Sequence, residues 1–441
     1  MFTNKELRKL FLPLVLEQML AIAVGLVDTV MVSSVGEAAV SGVSLVDMIN
    51  QLMINIFAAL ATGGAVVAAQ YIGHKEKEKA CESANHLFIA SVVCSAIIAG
   101  LCMLFHEGVL RLFLGTIENS VMNNAKIYFV ISAISYPFLA VYNSGAALFR
   151  VMGRSNITLK LSFIMNVFNI AFNAIFIFEM KLGAAGAAWG SLMARAVAAV
   201  IICMLLRNPE LSVHFLKFGK HLFQKDMMKR ILRIGIPNGF ENGVFQMGRI
   251  FVVSIISGFG TVQIAANAVA NNLDAVGVIP GEALSLAMII VVGRCVGAKD
   301  FEQAEYYAKK IIKISYVVLF LLNGTMLLML PEILQIYSLT PEALKLASSL
   351  IMIHNGCGMI LWTPAFVLPN ALRAAGDVKF TMRVSSFSML VFRILLSFVL
   401  GKEMGLGAIG VWLAMIIDWL FRDALFIWRF LQRKWQQNTV I

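Results

Sequence analysis

Twelve stretches of mostly apolar residues, each about the 20 residues needed to cross a hydrocarbon core, constrain this chain more than any other feature. They fall at roughly 10–34, 44–70, 85–105, 125–149, 158–178, 184–206, 231–256, 263–293, 311–330, 346–370, 380–400 and 406–430. In lipid every backbone N–H and C=O has to be satisfied within the protein, so runs of this length predict membrane-spanning α-helices. Only 14% of the 441 residues are charged and 59% are apolar, against about 25% charged in a soluble domain. The roughly three soluble domains that this length would otherwise suggest would have too little polar surface to cover them, and the mean hydropathy of +0.82 agrees. Met1 to Leu10 is too polar for a signal peptide and no small-residue cleavage pattern follows it, so the first apolar run is expected to stay in place as a span.

The net charge of +11 would fit a nucleic-acid partner if it were gathered on one surface. It is instead dealt out in short runs between apolar stretches, such as Lys75, Lys77 and Lys79, or Arg150 and Arg154. That is the distribution of topology determinants, and no nucleic-acid partner is expected. With twelve spans both termini share one side. Arg111, Lys126, Lys181, Lys345 and Lys402 fall on the opposite side and Arg195, Arg249 and Arg393 within spans, which leaves the great majority of the 36 Lys and Arg on the side of the termini. The positive-inside rule therefore places both ends in the cytoplasm of a multi-pass plasma (inner) membrane protein.

Compared with itself 224 residues on, the chain repeats: Pro13 and Glu17 meet Pro237 and Glu241, Gly36 meets Gly260, Gly73 meets Gly297, Ala80 meets Ala304, and Gly183 and Gly186 meet Gly407 and Gly410. The offset slips by one around Arg150 and Gly153 against Arg373 and Gly376. This is an internal duplication of six spans each, entering the membrane in the same sense, and parallel repeats of this kind are common in transporters. The domain reading that follows is an N-terminal bundle over 1–206, a cytoplasmic linker over 207–230 and a C-terminal bundle over 231–441.

An ionisable group inside a span is costly unless paired, protonated or wetted, which makes each one a functional candidate. In the first span Glu17 and Asp28 share a face at different depths, about 16 Å apart along the axis. Either could carry function, or could cap a helix end or pair with an Arg. Asp28 is the stronger functional candidate. Asn166, Asn169 and Asn173 form one polar stripe on the fifth span, either packing glue between helices or a partner that keeps Asp28 hydrogen-bonded in both protonation states. Asp47, Gln51 and Asn55 share a face of the second span, Asp47 reading more readily as an interfacial charge. Asn267, Asn271 and Asp274, with Glu282 slightly off the stripe, mark the eighth. Arg195, Arg249 and Arg393 are expected to neutralise acids inside the bundles. The 24 Met and 31 Phe suit an adaptable apolar cavity that attracts cations, although most will face lipid or core. Pro13, Pro237, Pro280 and Pro364 permit bends in the spans.

No G-x-x-x-x-G-K-[ST] run occurs, so no built-in ATP engine is expected. The six His are scattered without metal spacing, and the six Cys form no C-x-x-C pair and read as small hydrophobes. Energy for any uphill transport would come from an ion gradient.

The segments Leu16-Glu17-Gln18, Val27-Asp28-Thr29-Val30-Met31-Val32, Thr62-Gly63-Gly64-Ala65, Gln70-Tyr71-Ile72-Gly73, Leu148-Phe149-Arg150-Val151-Met152-Gly153 and Gly235-Ile236-Pro237-Asn238-Gly239, in this order and over nearly the whole chain, resemble the MATE (multidrug and toxic compound extrusion) family. The resemblance implies an all-α membrane fold of twelve helices in two pseudo-symmetric six-helix bundles. It also implies export of organic, often cationic and lipophilic, drug-like compounds in exchange for H+ or Na+ by alternating access. No cofactor other than the coupling ion, no catalytic residue and no metal site is implied. Asp28 matches the acid of the family's V-D-T motif and Asn169 the amide near it, while Asn173 stands where some members carry Asp. The acids that the NorM-type branch places in the second half fall here on Phe245 and Trp362. Glu17, Gln18, Asp47, Glu241, Asp274 and Glu282 remain secondary candidates, and Glu241, Asp274 and Glu282 could build a different ion site in the C-terminal bundle. The reading is therefore a monomeric antiporter in lipid with Asp28, Asn169 and Asn173 at the coupling site. Its rivals are a lipid-linked oligosaccharide flippase of related fold, a passive channel, and a membrane-embedded enzyme, against which the scattered His speak.

Overall fold

The computed structural model of the chain describes residues 2–114, 118–216, 224–337, 339–438 and 440–441. Twelve long helices account for most of it, and no strand occurs among the described residues. They are α1 (Asn4–Ser33), α2 (Glu37–Gly73), α3 (Lys77–Leu104), α4 (Asn119–Val151), α5 (Ser155–Glu179), α6 (Ala184–Leu205), α7 (Lys225–Ser257), α8 (Thr261–Gly297), α9 (Phe301–Leu328), α10 (Pro341–Ala374), α11 (Val378–Glu403) and α12 (Gly407–Leu431). Ten of these are long and apolar enough to cross a membrane. The other two, α7 and α12, occupy the positions expected for the seventh and twelfth spans and carry more charge, with Glu241 and Arg249 on α7 and Asp418, Arg422 and Asp423 on α12.

Local chemistry sets the helix ends. Thr3 caps α1 in a reciprocal box: its hydroxyl accepts from the Glu6 N–H at 3.2 Å, and its own N–H donates to Glu6 Oε2 at 2.7 Å. Asp300 and Thr340 cap α9 and α10 by simple one-way bonds, accepting from the N–H groups of Gln303 and Ala343. Between helices the backbone repeatedly enters the left-handed region, and it does so in pairs. Gly36 and Gly260, Lys75 and Lys299, Lys181 and Gly405, and Gly183 and Gly407 each share the 224-residue offset, while Gly153 and Gly376 follow the one-residue slip. The duplication therefore extends from sequence to the conformation of individual turns. Irregular π turns close α5 (Ile175–Glu179) and interrupt α10 (Thr363–Val367), the latter at Pro364, whose ring nitrogen supplies no hydrogen.

The chain forms two compact units, Thr3–Gly239 and Phe240–Val440, divided within α7. In the first, α2 packs on α4, α3 and α1, α4 on α6, and α1 and α6 on α5. In the second, α8 packs on α9 and α10, α10 on α12, and α11 on α12. The stretch 207–230 is helical from Lys225 onward, and its residues 217–223 lie outside the described residues. Its first part folds back on α3, where the Phe215 ring meets Phe88 edge-on at 4.7 Å.

Where α5 meets α6 and where α11 meets α12, the helices approach through equivalent glycines. A Cβ on Gly186 would lie 2.9 Å from the Phe176 carbonyl, and one on Gly410 would lie 2.7 Å from the Leu400 carbonyl. Both obstacles are backbone, which yields less readily than a side chain, and small residues are what allow such contacts in lipid. Gly186→Ala and Gly410→Ala are each expected to cost about 1–3 kcal/mol and to lower the thermal unfolding midpoint of the purified protein. Gly100→Ala, with nothing within 4 Å of the added carbon, should leave it unchanged.

Candidate functional site

Asp28 lies near the end of α1, half-buried, and turns toward the amide stripe of α5. Asn166, Asn169 and Asn173 are all buried, so the polar stripe faces protein. Asn173 Nδ2 donates to Asp28 Oδ1 at 2.9 Å and sits 3.4 Å from Asn169 Oδ1, while Asn169 Nδ2 donates to Ser191 Oγ on α6 at 3.1 Å. Gly190 makes this possible, since a Cβ there would collide with the Asn173 amide oxygen. The three residues singled out from sequence are therefore in one hydrogen-bonded chain, which Ser191 and Gly190 complete. Two residues beyond Asn173 the π turn of α5 begins, an irregularity frequent at functional sites.

Asp28 also borders a cavity of about 20 Å³ shared with Ser44, Asp47, Tyr128, Asn173 and Ser191, room for a water molecule. Asp47, which its place in the sequence favours as an interfacial charge, is exposed and also borders this cavity. It lies on the cavity wall and accepts from Tyr128 Oη at 3.0 Å and Asn50 Nδ2 at 3.1 Å. Asn50 accepts in turn from Tyr136 Oη at 2.9 Å. Arg195, expected to neutralise an acid, donates instead to Ser135 Oγ at 2.6 Å, although its charge still acts on Asp28 and Asp47.

The oxygens here are two carboxylates, amides and hydroxyls. Among the described residues no group of three or more His, Cys, Asp or Glu is gathered as a metal site would require. The Asn173 amide oxygen is buried without a hydrogen-bond partner. Beside Asp28 and Asn169 it leaves acceptor capacity for a proton carried on Asp28 or for a small hard cation.

Glu17 belongs to a different constellation. Its Oε1 receives Arg150 at 2.5 Å and its Oε2 the Thr158 hydroxyl at 3.0 Å. Gln18 is half-buried one residue on and donates no hydrogen bond to this pair among the described residues. In the second unit Glu241 receives Arg373 at 2.6 Å. Both guanidinium groups read as topology charges in the sequence, and both are internal partners. Of the three acids that could build a C-terminal site, Glu241 is bound to Arg373, Asp274 faces His354 at 2.7 Å, and Glu282 is exposed and enters no ion pair among the described residues. Phe245 and Trp362 both pack on Phe366, at 6.2 and 5.1 Å between ring centres, so an aromatic cluster stands where the NorM-type acids would be.

A helical membrane bundle built twice over, with a sheltered acid in one copy, is the architecture of a membrane transporter rather than of an enzyme. The family model described as MatE matches residues 13–175 and 237–399, once in each half, and the chain belongs to this family of transporters. It is 27% identical to the uncharacterized transporter YisQ of Bacillus subtilis, over 97% of this chain and 94% of that protein. It is 25% identical to the probable multidrug resistance protein NorM of Thermotoga maritima, over 99% of this chain and 94% of that protein. The fold matches the outward-facing conformation of a multidrug resistance MATE family transporter of the MOP superfamily with a TM-score of 0.88, at 20% identity over 99% of this chain and 97% of the other.

The Glu17–Arg150 pair is mostly buried, and breaking such a pair leaves an uncompensated charge. Glu17→Gln or Arg150→Met alone is expected to cost about 3–5 kcal/mol, measured as loss of resistance to thermal unfolding. The double variant should recover most of that loss. A double variant as unstable as the two losses added would show that the two side chains do not act on each other.

Proposed function

We propose that this transporter is a secondary antiporter that exports organic, often cationic and lipophilic compounds in exchange for H+ or Na+, with Asp28 as the coupling residue. Substrate class is carried by the relatives named for multidrug resistance, and the coupling residue by one observation: Asp28 is held by the neutral donor Asn173 and not by a fixed cation. A carboxylate paired with Arg keeps its charge, whereas amides and hydroxyls can donate to the charged acid and accept from the neutral one. Asn173, Asn169 and Ser191 can therefore follow Asp28 through both states.

In the cycle an ion from outside binds at Asp28, α1 rearranges and substrate leaves. Release of the ion to the cytoplasm resets the inward-open state. Ion and substrate are coupled because each favours a different conformation of the protein. The two bundles, 1–206 and 231–441, act as the moving bodies, with both termini in the cytoplasm and the protein a monomer in the plasma membrane.

The decisive assay is efflux of a panel of fluorescent organic cations from proteoliposomes, with pH and Na+ gradients imposed separately. Wild-type protein should respond to one of the two gradients. Asp28→Asn, reconstituted at the same density, should export no faster with the gradient than without it. Full gradient-driven efflux by that variant would remove Asp28 from the coupling step.

A further inference from the structure

Where α11 begins and α12 stops, at the end of the second unit nearest the C-terminus, the two helices lie side by side and each presents an accessible stripe. On α11 the stripe is Lys379, Arg383, Phe387 and Leu390, all exposed. Their spacing of i, i+4, i+8 and i+11 puts them on one face, basic at its start and apolar beyond. On α12 it is Leu420, Ala424, Ile427 and Leu431, also exposed, with Trp428 beside them at 47% exposure. Ring contacts lay the stripes alongside one another: Phe387 meets Phe421 at 5.6 Å between centres, and Phe380 meets Trp428 at 6.4 Å. In a membrane protein such an apolar groove is covered by acyl chains, and an exposed indole at its end marks the level of the headgroups.

Three cations head this groove. Lys434 Nζ stands 6.0 Å from the centre of the Trp428 ring, Lys379 directly precedes Phe380, and Arg383 follows one turn on. None of the three enters an ion pair among the described residues, because the acids nearby are already neutralised. Asp377 takes two nitrogens of Arg429, at 2.7 and 3.2 Å, and Glu305 takes Lys309 and Arg433, at 2.6 and 3.0 Å. The fold also fixes the walls. Arg433 enters the left-handed region at φ 56°, and the chain so reversed lays the Trp435 ring flat on Phe430 at 5.5 Å, its indole N–H donating to the Phe430 carbonyl at 3.1 Å. That contact sets the position of Lys434. Arg429, 4.8 Å over the Phe380 ring, steadies the other side.

A basic rim by itself would serve only as a topology signal, and the duplication shows that this one is more. At the 224-residue offset Trp428 meets Met204 and Lys434 meets Glu210. The first copy therefore ends its equivalent helix, α6, with no indole and with an acid in place of the ammonium, so the scaffold does not require either residue. What the arrangement fits is a ligand with a negative head and apolar tails. Ammonium and guanidinium groups donate to phosphate oxygens in charge-assisted hydrogen bonds, the Trp428 indole lies at the boundary between head and tail, and the two stripes receive the chains. A zwitterionic headgroup brings a cation of its own, which three unpaired cations repel, whereas an anionic one is attracted by each of them.

We propose that the groove between α11 and α12, headed by Lys379, Arg383 and Lys434, is a binding site for an anionic phospholipid. Trp428 reports on it directly, since bromine on a neighbouring acyl chain quenches an indole. Full-length protein is placed in phosphatidylcholine nanodiscs that carry a minor share of brominated phosphatidylglycerol or, in a parallel sample, the same share of brominated phosphatidylcholine. The Trp428 signal is the difference between wild type and Trp428→Phe. It should be quenched more by the anionic lipid, with a preference of at least about tenfold, while Trp189, 39% exposed on α6 and isolated in the same way with Trp189→Phe, should show little. Each cation near the surface is worth about fivefold, so Lys434→Gln should lower the preference by that factor. The triple variant Lys379→Gln, Arg383→Gln and Lys434→Gln should abolish it. Removing as many exposed cations from the first unit, as Lys5→Gln, Lys9→Gln and Lys160→Gln, should leave it in place. Should the first triple variant fail to purify as a monodisperse species, Lys434→Gln carries the test. Equal quenching of Trp428 by the two lipids, the same preference at Trp189, or a preference unchanged in Lys434→Gln would overturn the proposal.

Discussion

A carboxylate withdrawn from water has to be paired with a cation, held by neutral donors or reached by water, and several acids of this chain meet this constraint in one of two ways. Glu17, Glu241, Asp377 and Asp418 each lie against a guanidinium, at 2.5, 2.6, 2.7 and 2.9 Å. Arg offers only donors and stays charged at any accessible pH, so these four acids are fixed charges that hold helices in place. Half-buried Asp28 and exposed Asp47 are instead held by amide and phenol groups around a small cavity, and Asp274 lies 2.7 Å from an imidazole. Those partners can exchange donor and acceptor roles. On the proposed antiport reading, reversible ion binding falls to the second group by chemistry rather than by position.

The duplication makes the same division visible from another side. Turn conformations recur at equivalent positions, the glycine contacts of α6 and α12 recur, and the Glu–Arg pair recurs. The adaptable groups do not. At the 224-residue offset Asp28 corresponds to Val252 and Asn169 to Arg393, while Asn50 corresponds to Asp274. Two copies of one scaffold have thus kept their mechanical parts in common and specialised their polar interiors differently.

Much of this was legible in the sequence, and the reason is that lipid simplifies the code. Span positions follow from apolar run length, the duplication from spaced glycines, prolines and acids, and the Asp28 cluster from a stripe of amides that only an inward-facing helix would carry. What escaped was pairing between distant helices. Arg150 and Arg373 sit in basic runs that look like topology signals, and nothing local reveals that each reaches across to an acid on another helix. Asp47 reads as an end-of-span charge until Tyr128 is placed opposite it. His354 reads as one of several scattered histidines because its partner lies on α8. The stretch 406–430 reads as a span despite its charges, and what it does not reveal is that Asp418 and Arg422 neutralise one another inside the bundle, the Ser388 hydroxyl also donating to Asp418.

With H+ as the coupling ion, the central claim is that the charge on Asp28 changes during the transport cycle while the guanidinium-bound acids keep theirs. Infrared difference spectroscopy on protein carrying isotope-labelled aspartate, recorded in membranes as a transported cation is added, observes this directly. The account predicts loss of a protonated-carboxyl band on substrate addition in wild type and no such loss in Asp28→Asn. The same band change persisting undiminished in that variant would contradict it.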